Sequence, residues 1–139
     1  MVSPRAGPLS SRAVENELER VLIVEGDAGI REALAECVAS LGVEVLTSAD
    51  GEGGLAKLRP GRLPDAILLD LRAPCLDGDD FLGALRANPI TAGIPVVAMR
   101  AWEGALHASV RAYLEKPFDL DELAKILNRL GRERAAPSC

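Results

Sequence analysis

The chain has 139 residues, enough for one ordinary domain with a substantial core. A composition of 48% hydrophobic and 27% charged residues is typical of a soluble globular protein, and the apolar runs are too short to cross a membrane. The net charge of −5 and the lack of a basic run argue against nucleic acid as a direct partner. Three scattered cysteines without metal-binding spacing suggest a reducing, cytoplasmic environment: Cys37, Cys75 and Cys139.

In chain order, the sequence alternates short apolar runs with segments of helical periodicity. Residues 1–19, rich in Ser, Pro and Gly, are predicted to form a flexible N-terminal tail. The apolar run 21–24 predicts the first strand. The helical spacing of apolar residues over 30–41 then predicts a helix that Asp27 caps and Gly42 ends.

The next two strands differ in texture. Residues 43–46 predict a second strand of mixed polarity. Residues 66–69 are wholly apolar and are followed directly by a carboxylate, Asp70. A continuous apolar run of this length is typical of a strand covered on both faces. Between them we predict a short, mobile second helix, because three glycines each weaken it by about 1 kcal/mol: Gly51, Gly53 and Gly54.

The second half repeats the alternation with one weak unit. Residues 81–85 mark a third helix, and 94–99 form another apolar strand. Residues 102–110 hold at most two turns of a fourth helix before the mixed fifth strand, 111–115. This fourth helix is therefore predicted to be shortened.

A well-marked final helix closes the predicted domain. Asp119 and Glu122 form a capping-box-like pair at its start, and Gly131 is expected to stop it. The predicted division is thus a tail (1–19), a folded domain (20–130) and a C-terminal tail (131–139).

Five strand–helix units in alternation predict an α/β fold, with a parallel sheet and helices on both faces. The first, third and fourth strands are apolar, as central strands should be, and the second and fifth are mixed, as edge strands should be. The strand order predicted is therefore 2-1-3-4-5, the flavodoxin-like doubly wound (βα)5 arrangement.

On this fold, four charged residues fall at the carboxyl ends of neighbouring strands, where ligands of open α/β sheets bind. They are Glu25, Asp70, Arg100 and Lys116. Each alone would be an ordinary solvated loop charge, but together they are expected to converge on one crevice.

These pieces resemble the receiver domain of two-component response regulators, over roughly Arg20 to Leu130. The motifs that carry the resemblance are VLIVEGD, PDAILLDLRAP followed by Leu76-Asp77-Gly78, IPVVAMRA and YLEKPFDLDEL. The resemblance implies a signalling module in a phosphorelay rather than an enzyme. It also implies a histidine kinase or phosphotransfer protein as donor, and output through a downstream protein partner.

The resemblance also implies roles for single residues. Asp70 matches the aspartate that accepts the phosphoryl group, as a nucleophile forming an acyl phosphate. Lys116 matches the lysine that contacts the phosphoryl oxygens, and Tyr113 an aromatic switch that rotates inward on phosphorylation. Glu25 matches the first acidic residue of a cluster that holds Mg²⁺ together with the phosphoacceptor. Tyr113 is also open to a plainer interpretation, simple packing in an edge strand.

Three departures from the family pattern bear on this site. Gly26 stands where the second acidic residue, normally a direct metal ligand, is expected. Arg100 stands in place of the Ser or Thr whose hydroxyl binds the phosphoryl group. The segment from Arg100 to Tyr113 is also about one and a half helical turns short.

The first two departures suggest a linked hypothesis. Glu25 and Asp70 balance Arg100 and Lys116, so the pocket is neutral without a metal. A guanidinium can bind a carboxylate through two parallel hydrogen bonds, and Arg100 could thus replace Mg²⁺ by pairing with Asp70 or Glu25. The alternatives are that Arg100 points into solvent, and that Asp27 serves as a substitute ligand instead of capping its helix.

Two functions from different classes therefore stay open. One is a phosphoaccepting receiver with Asp70 as acceptor. The other is a pseudo-receiver that keeps the fold as a protein-interaction module and has given up phosphorylation.

Trp102, beside the shortened helix, is either a partner contact or a core residue, and His107 is expected to have no role in phosphotransfer. Neither function calls for direct binding of nucleic acid or membrane.

Overall fold

The computed structural model describes residues 17–70, 78–99, 110–114 and 119–135. These contain five strands: β1 (Arg20–Val24), β2 (Glu44–Ser48), β3 (Ala66–Asp70), β4 (Val96–Met99) and β5 (Ala112–Leu114). The helices within the same ranges are α1 (Ala28–Ala39), α2 (Gly51–Ala56), α3 (Gly78–Ala87) and α4 (Leu120–Ala135). The predicted shortened helix lies outside the described residues, so α4 is the final helix of the prediction.

The strands form one parallel sheet in the order β2-β1-β3-β4-β5. The predicted order 2-1-3-4-5 and the flavodoxin-like architecture are confirmed. The polarity of the strands, from which the order was predicted, agrees with their burial. Strands β3 and β4 are almost wholly buried, whereas β2 and β5, at the edges, are only partly buried.

The alternation of side chains along each strand divides the core between the two faces of the sheet. Val21 and Ile23 of β1 pack towards α1 and α4, whereas Leu22 and Val24 pack towards α2 and α3. The first core also contains Leu34, Val38, Leu123, Leu127 and Leu130. The second contains Phe81, Leu82, Leu85 and Ile94.

The predicted helix caps are present. Asp27 precedes α1, and its carboxylate accepts a hydrogen bond of 3.0 Å from the amide of Ile30. Helix α1 itself ends at Ala39, and the turn that follows brings Gly42 into the left-handed region at φ 81°. At α4, Glu122 accepts a hydrogen bond of 3.2 Å from the Asp119 amide, which completes the predicted capping pair.

Two predicted boundaries are wrong at the residue level. Gly131 does not stop the last helix, because α4 continues to Ala135 and Gly131 is buried within it. An interior glycine costs a helix only about 1 kcal/mol, and a hydrogen bond of 2.5 Å from Arg111 to Glu133 holds the final turn against the start of β5. Leu18, assigned to the N-terminal tail, is only 2% exposed and belongs to the first core.

Helix α2 is as short as predicted, but its glycines have a role that the sequence did not reveal. A Cβ added to Gly54 would lie 2.8 Å from Val24 Cγ2 and 3.2 Å from Phe81 Cε1. The missing side chain therefore lets α2 approach β1 and α3 closely. Its predicted mobility stays a prediction.

None of the helices in the described ranges combines the length and apolar character needed to span a membrane.

Candidate phosphoacceptor site

The two predicted acidic site residues lie side by side at the carboxyl edge of the sheet. Glu25 directly follows β1 and Asp70 is the last residue of β3. Because Val24 and Leu69 are partners in the parallel register, Glu25 and Asp70 occupy adjacent positions on strands about 4.8 Å apart. The fold thus brings together two carboxylates that lie far apart in sequence.

Glu25 is held rigidly in a turn. It is 1% exposed, and its amide donates to the carbonyl of Ser48 at the end of β2, at 3.0 Å. Its Oε2 accepts a hydrogen bond of 3.1 Å from the Asp27 amide. A buried carboxylate requires such partners, since an ionised group without them would be strongly disfavoured. The turn therefore fixes where this carboxylate lies relative to Asp70.

Arg31 also holds this turn, a role that the sequence analysis did not assign. Its guanidinium donates from Nη1 to the carbonyl oxygen of Glu25 at 2.8 Å. Arg31 lies one turn into α1, so its side chain can reach back to the loop before the helix. A basic residue in the first helical turn, where acidic residues are usually favoured, was the available signal.

The remaining residues of this turn add little to a metal site. Gly26 has no side chain to offer, and one carboxylate oxygen of Asp27 is already bound to the Ile30 amide. The described ranges contain no group of three or more His, Cys, Asp or Glu residues that could hold a metal ion. The cap role of Asp27 is confirmed, and only Glu25 and Asp70 are left here as candidate ligands.

Asp70 is partly exposed, unlike the buried strand residues that precede it. Its register partner is Met99, the last residue of β4. Arg100, Lys116, Trp102 and His107 lie outside the described residues, as does Cys75, and the predictions made for the first four stay predictions. The described half of the site is thus the acidic half.

Tyr113 lies on β5 in register with Ala98 of β4. Its ring packs against the core formed with α2 and α3, and its hydroxyl oxygen is buried. The ring is therefore directed inward. This placement is compatible both with the switch and with the packing interpretation of the sequence.

Comparisons with known proteins bear on this geometry. The family model for the response regulator receiver domain matches residues 21–128. The transcriptional regulatory protein PrrA of Mycobacterium tuberculosis is 36% identical over 121 residues, covering 84% of this chain and 52% of PrrA. This chain therefore spans about half the length of that relative.

Solved structures agree with the fold. The chemotaxis response regulator CheY4 of Vibrio cholerae has 28% sequence identity and a TM-score of 0.73, covering 81% of this chain and 98% of CheY4. The receiver domain of the sensor histidine kinase PA1611 of Pseudomonas aeruginosa has 31% identity and a TM-score of 0.69, covering 81% and 96%. That structure carries a magnesium ion coordinated in its active site cleft. With the family match, the strand order and the carboxylate pair at the sheet edge, the chain belongs to the response regulator receiver domain family and is a module of two-component signalling.

Proposed function

We propose that Asp70 is the phosphoacceptor of this receiver domain. The observation that carries the proposal is its position: a partly exposed carboxylate at the end of the central strand β3, next to the buried Glu25 of β1. A carboxylate must be accessible to meet a donor protein, and Asp70 is the more exposed of the two. The proposed setting is cytoplasmic, and the proposed donor is a histidine kinase or phosphotransfer protein.

The proposed reaction is transfer between two side chains. A carboxylate oxygen of Asp70 attacks the phosphorus of a phosphohistidine, an O–P bond forms, and the N–P bond to the donor imidazole breaks. The electron pair of the broken bond stays on the donor nitrogen. The transferred group brings negative charge to the pocket, which Lys116 is proposed to offset.

Mg²⁺ would supply further charge neutralisation in such a site, and Glu25 and Asp70 would hold it. The described residues fit it poorly, because Gly26 offers no ligand and Asp27 is engaged as a helix cap. Magnesium prefers several oxygen ligands in octahedral geometry. We therefore keep as a proposal that Arg100 takes the place of the metal by pairing with one of the two carboxylates.

The second candidate function is a pseudo-receiver that binds a partner protein without phosphorylation. Gly26 favours it, because the turn that usually supplies two acidic residues supplies one, already tied to the Asp27 amide. In both cases the domain acts as a signalling module rather than as an enzyme. The chain spans about half the length of PrrA, so the way in which this domain passes on its signal is also a proposal. We propose that it does so by contacting a downstream protein.

Incubation with a small-molecule phosphodonor, with and without Mg²⁺, tests the proposal by intact mass. We expect a gain of one phosphoryl group that is lost in Asp70→Ala. If Arg100 replaces the metal, labelling persists when Mg²⁺ is chelated. A strict requirement for Mg²⁺ would contradict the proposal that Arg100 takes the place of the metal. No labelling, under conditions that label an ordinary receiver domain, would favour the pseudo-receiver.

A further inference from the structure

A basic groove lies beside the edge strand β2, away from the phosphoacceptor site. It has a volume of about 300 Å³ and is lined by Leu46, Ala56, Lys57, Arg59 and Arg62. Leu46 and Ala56 form its apolar lining, and the three cations form its charged lining, here called the rim. The four residues of the groove outside β2 are all exposed. Nothing in the proposed phosphotransfer uses these residues.

The rim is held in place by a tight turn. Arg62 donates its amide to the carbonyl of Arg59 at 2.9 Å, and Gly61 between them has φ 88°. A type II turn requires a residue with positive φ, usually glycine, at its third position and commonly has proline at its second, as Pro60 and Gly61 provide here. The turn therefore sets two arginines at its two ends, and little conformational freedom of the backbone is left to lose on binding.

The charge of the rim is only partly balanced. Arg62 pairs with Glu44, and Arg20 shares that same carboxylate. Neither Lys57 nor Arg59 forms an ion pair with any residue in the described part of the chain. Residues 53–64 contain three cations and no acidic residue, although the whole chain carries a net charge of −5. A local positive field on an acidic protein attracts an acidic ligand.

The edge position makes the groove accessible to an extended partner. Strand β2 is bonded to β1 on one side and, among the strands of the described residues, is outermost on the other. The Glu44 amide and the Ser48 carbonyl are both bonded towards β1, so the backbone groups of Val45 and Thr47 face the open side. The N–H groups of such an edge can donate hydrogen bonds to an added segment, and its carbonyl oxygens can accept them.

We propose that this groove is a docking site for an acidic, extended segment of a partner protein that carries an apolar side chain. The carboxylates of the segment contact Lys57 and Arg59, and its apolar side chain covers Leu46 and Ala56. Charge complementarity selects the occupant, because a neutral or basic segment would leave the two unpaired cations without partners. The site is independent of the proposed phosphorylation of Asp70.

The test uses the full chain and a fluorescein-labelled peptide in which glutamate alternates with leucine. Binding is followed by fluorescence anisotropy, and the contact is mapped by amide shifts in NMR. We expect shifts at residues 44–48 and 56–62, and a loss of affinity of about tenfold or more in Lys57→Glu/Arg59→Glu. The matched control is Lys125→Glu/Arg132→Glu, which makes the same charge change at exposed positions of α4, on the other face of the sheet.

Three results would overturn the proposal. An equal loss of peptide affinity in both double variants would show that the peptide is attracted by net charge alone. If the acidic peptide does not bind the unaltered chain at all, the groove does not accept acidic segments. Shifts of residues 1–16 in the groove variant without peptide would show that the chain's own N-terminal segment occupies the groove. A peptide in which lysine alternates with leucine should bind at least tenfold more weakly than the acidic one.

Discussion

Strand β3 carries an aspartate at each end, Asp65 immediately before it and Asp70 as its last residue. At the amino end, Asp65 Oδ2 accepts hydrogen bonds from the amides of Glu19 and Arg20 at 2.6 and 3.1 Å. That carboxylate ties the start of β3 to the start of β1. At the carboxyl end, Asp70 is partly exposed beside the buried Glu25.

The same type of side chain, an aspartate, thus stabilises the fold at one end of the strand and is proposed to accept a phosphoryl group at the other. The amino edge is a region of paired charges, with Arg20 and Arg62 on Glu44, and Arg111 on Glu133. In open parallel α/β sheets, ligands bind in the crevice at the carboxyl ends of the strands. The end of the strand, rather than the residue type, decides which role a carboxylate takes.

The largest expected effect is on phosphoryl incorporation. Asp70→Asn should abolish the mass gain from a phosphodonor, because an amide is not a competent nucleophile here. Asp65→Asn should be labelled like the unaltered chain, since that residue lies at the opposite edge of the sheet. Loss of labelling in both variants, with both folded by circular dichroism, would break the comparison.

The second prediction concerns the helix that supports the carboxyl end of β1. Gly54→Ala should lower the free energy of unfolding by about 2 kcal/mol, because its Cβ would overlap Val24 and Phe81. The control is Gly83→Ala in α3, where an added Cβ meets nothing within 4 Å. That change should raise stability by about 0.5–1 kcal/mol. Urea denaturation measures both, and a neutral Gly54→Ala would contradict the close approach of α2.

The third prediction measures what the amino end contributes to stability. Asp65→Ala removes the acceptor of two backbone amides, and we expect a loss of about 1–2 kcal/mol in urea denaturation. Asp65→Asn keeps an oxygen acceptor and should recover part of that loss. Asp70→Ala should cost less than Asp65→Ala, because Asp70 is proposed to serve phosphotransfer rather than the fold. A larger loss at Asp70 than at Asp65 would reverse the division of roles.

The smallest effect is a pH dependence at the amino edge. The hydrogen bond from Arg20, with the charges of Arg20 and Arg62, holds the pKa of Glu44 below its ordinary value of 4.5. Since the folded pKa is the lower one, the contribution of Glu44 is fully present above pH 4.5 and is lost as the pH falls through the folded pKa.

Glu44→Gln should therefore have a lower free energy of unfolding than the unaltered chain at pH 6. This difference, the gap, should become smaller towards pH 3. Unfolding curves across this range measure it, with Glu36→Gln on the exposed face of α1 as the matched control. A gap that does not change with pH would show that the effect of the substitution is not electrostatic. Because Glu44 is at the surface, salt should reduce the gap at pH 6.

Much of the fold could be read from local patterns. The periodicity switch between two and 3.6 residues located the described helices and strands, and strand polarity gave the sheet order. The caps at Asp27 and Asp119 were readable because each lies just before an apolar periodic segment. The final helix was misjudged at Gly131, because a local stop signal is outweighed by burial and by the Arg111 contact with Glu133.

The candidate site was predictable only in outline. Asp70 and Glu25 could be placed at one edge once the strand order was inferred, since parallel strands end together. The hydrogen bond from Arg31 to the Glu25 carbonyl and the close approach at Gly54 were not predicted. The Arg31 bond spans only six residues but depends on how the turn before α1 is folded, whereas the approach at Gly54 depends on the separation of α2 from β1 and α3.

The sequence alone determined the alternation of strands and helices, the order of the sheet and the family, because these follow from hydrophobic periodicity and from motifs that are contiguous in the chain. Only the tertiary structure decided that Asp65 braces two strands, that Glu25 is buried in a turn held by Ser48, and that three cations border one groove. The first two are hydrogen bonds between distant segments, and they exist only when the sheet has brought those backbones together. The groove exists because the fold places Leu46 of β2 beside the segment that carries the cations.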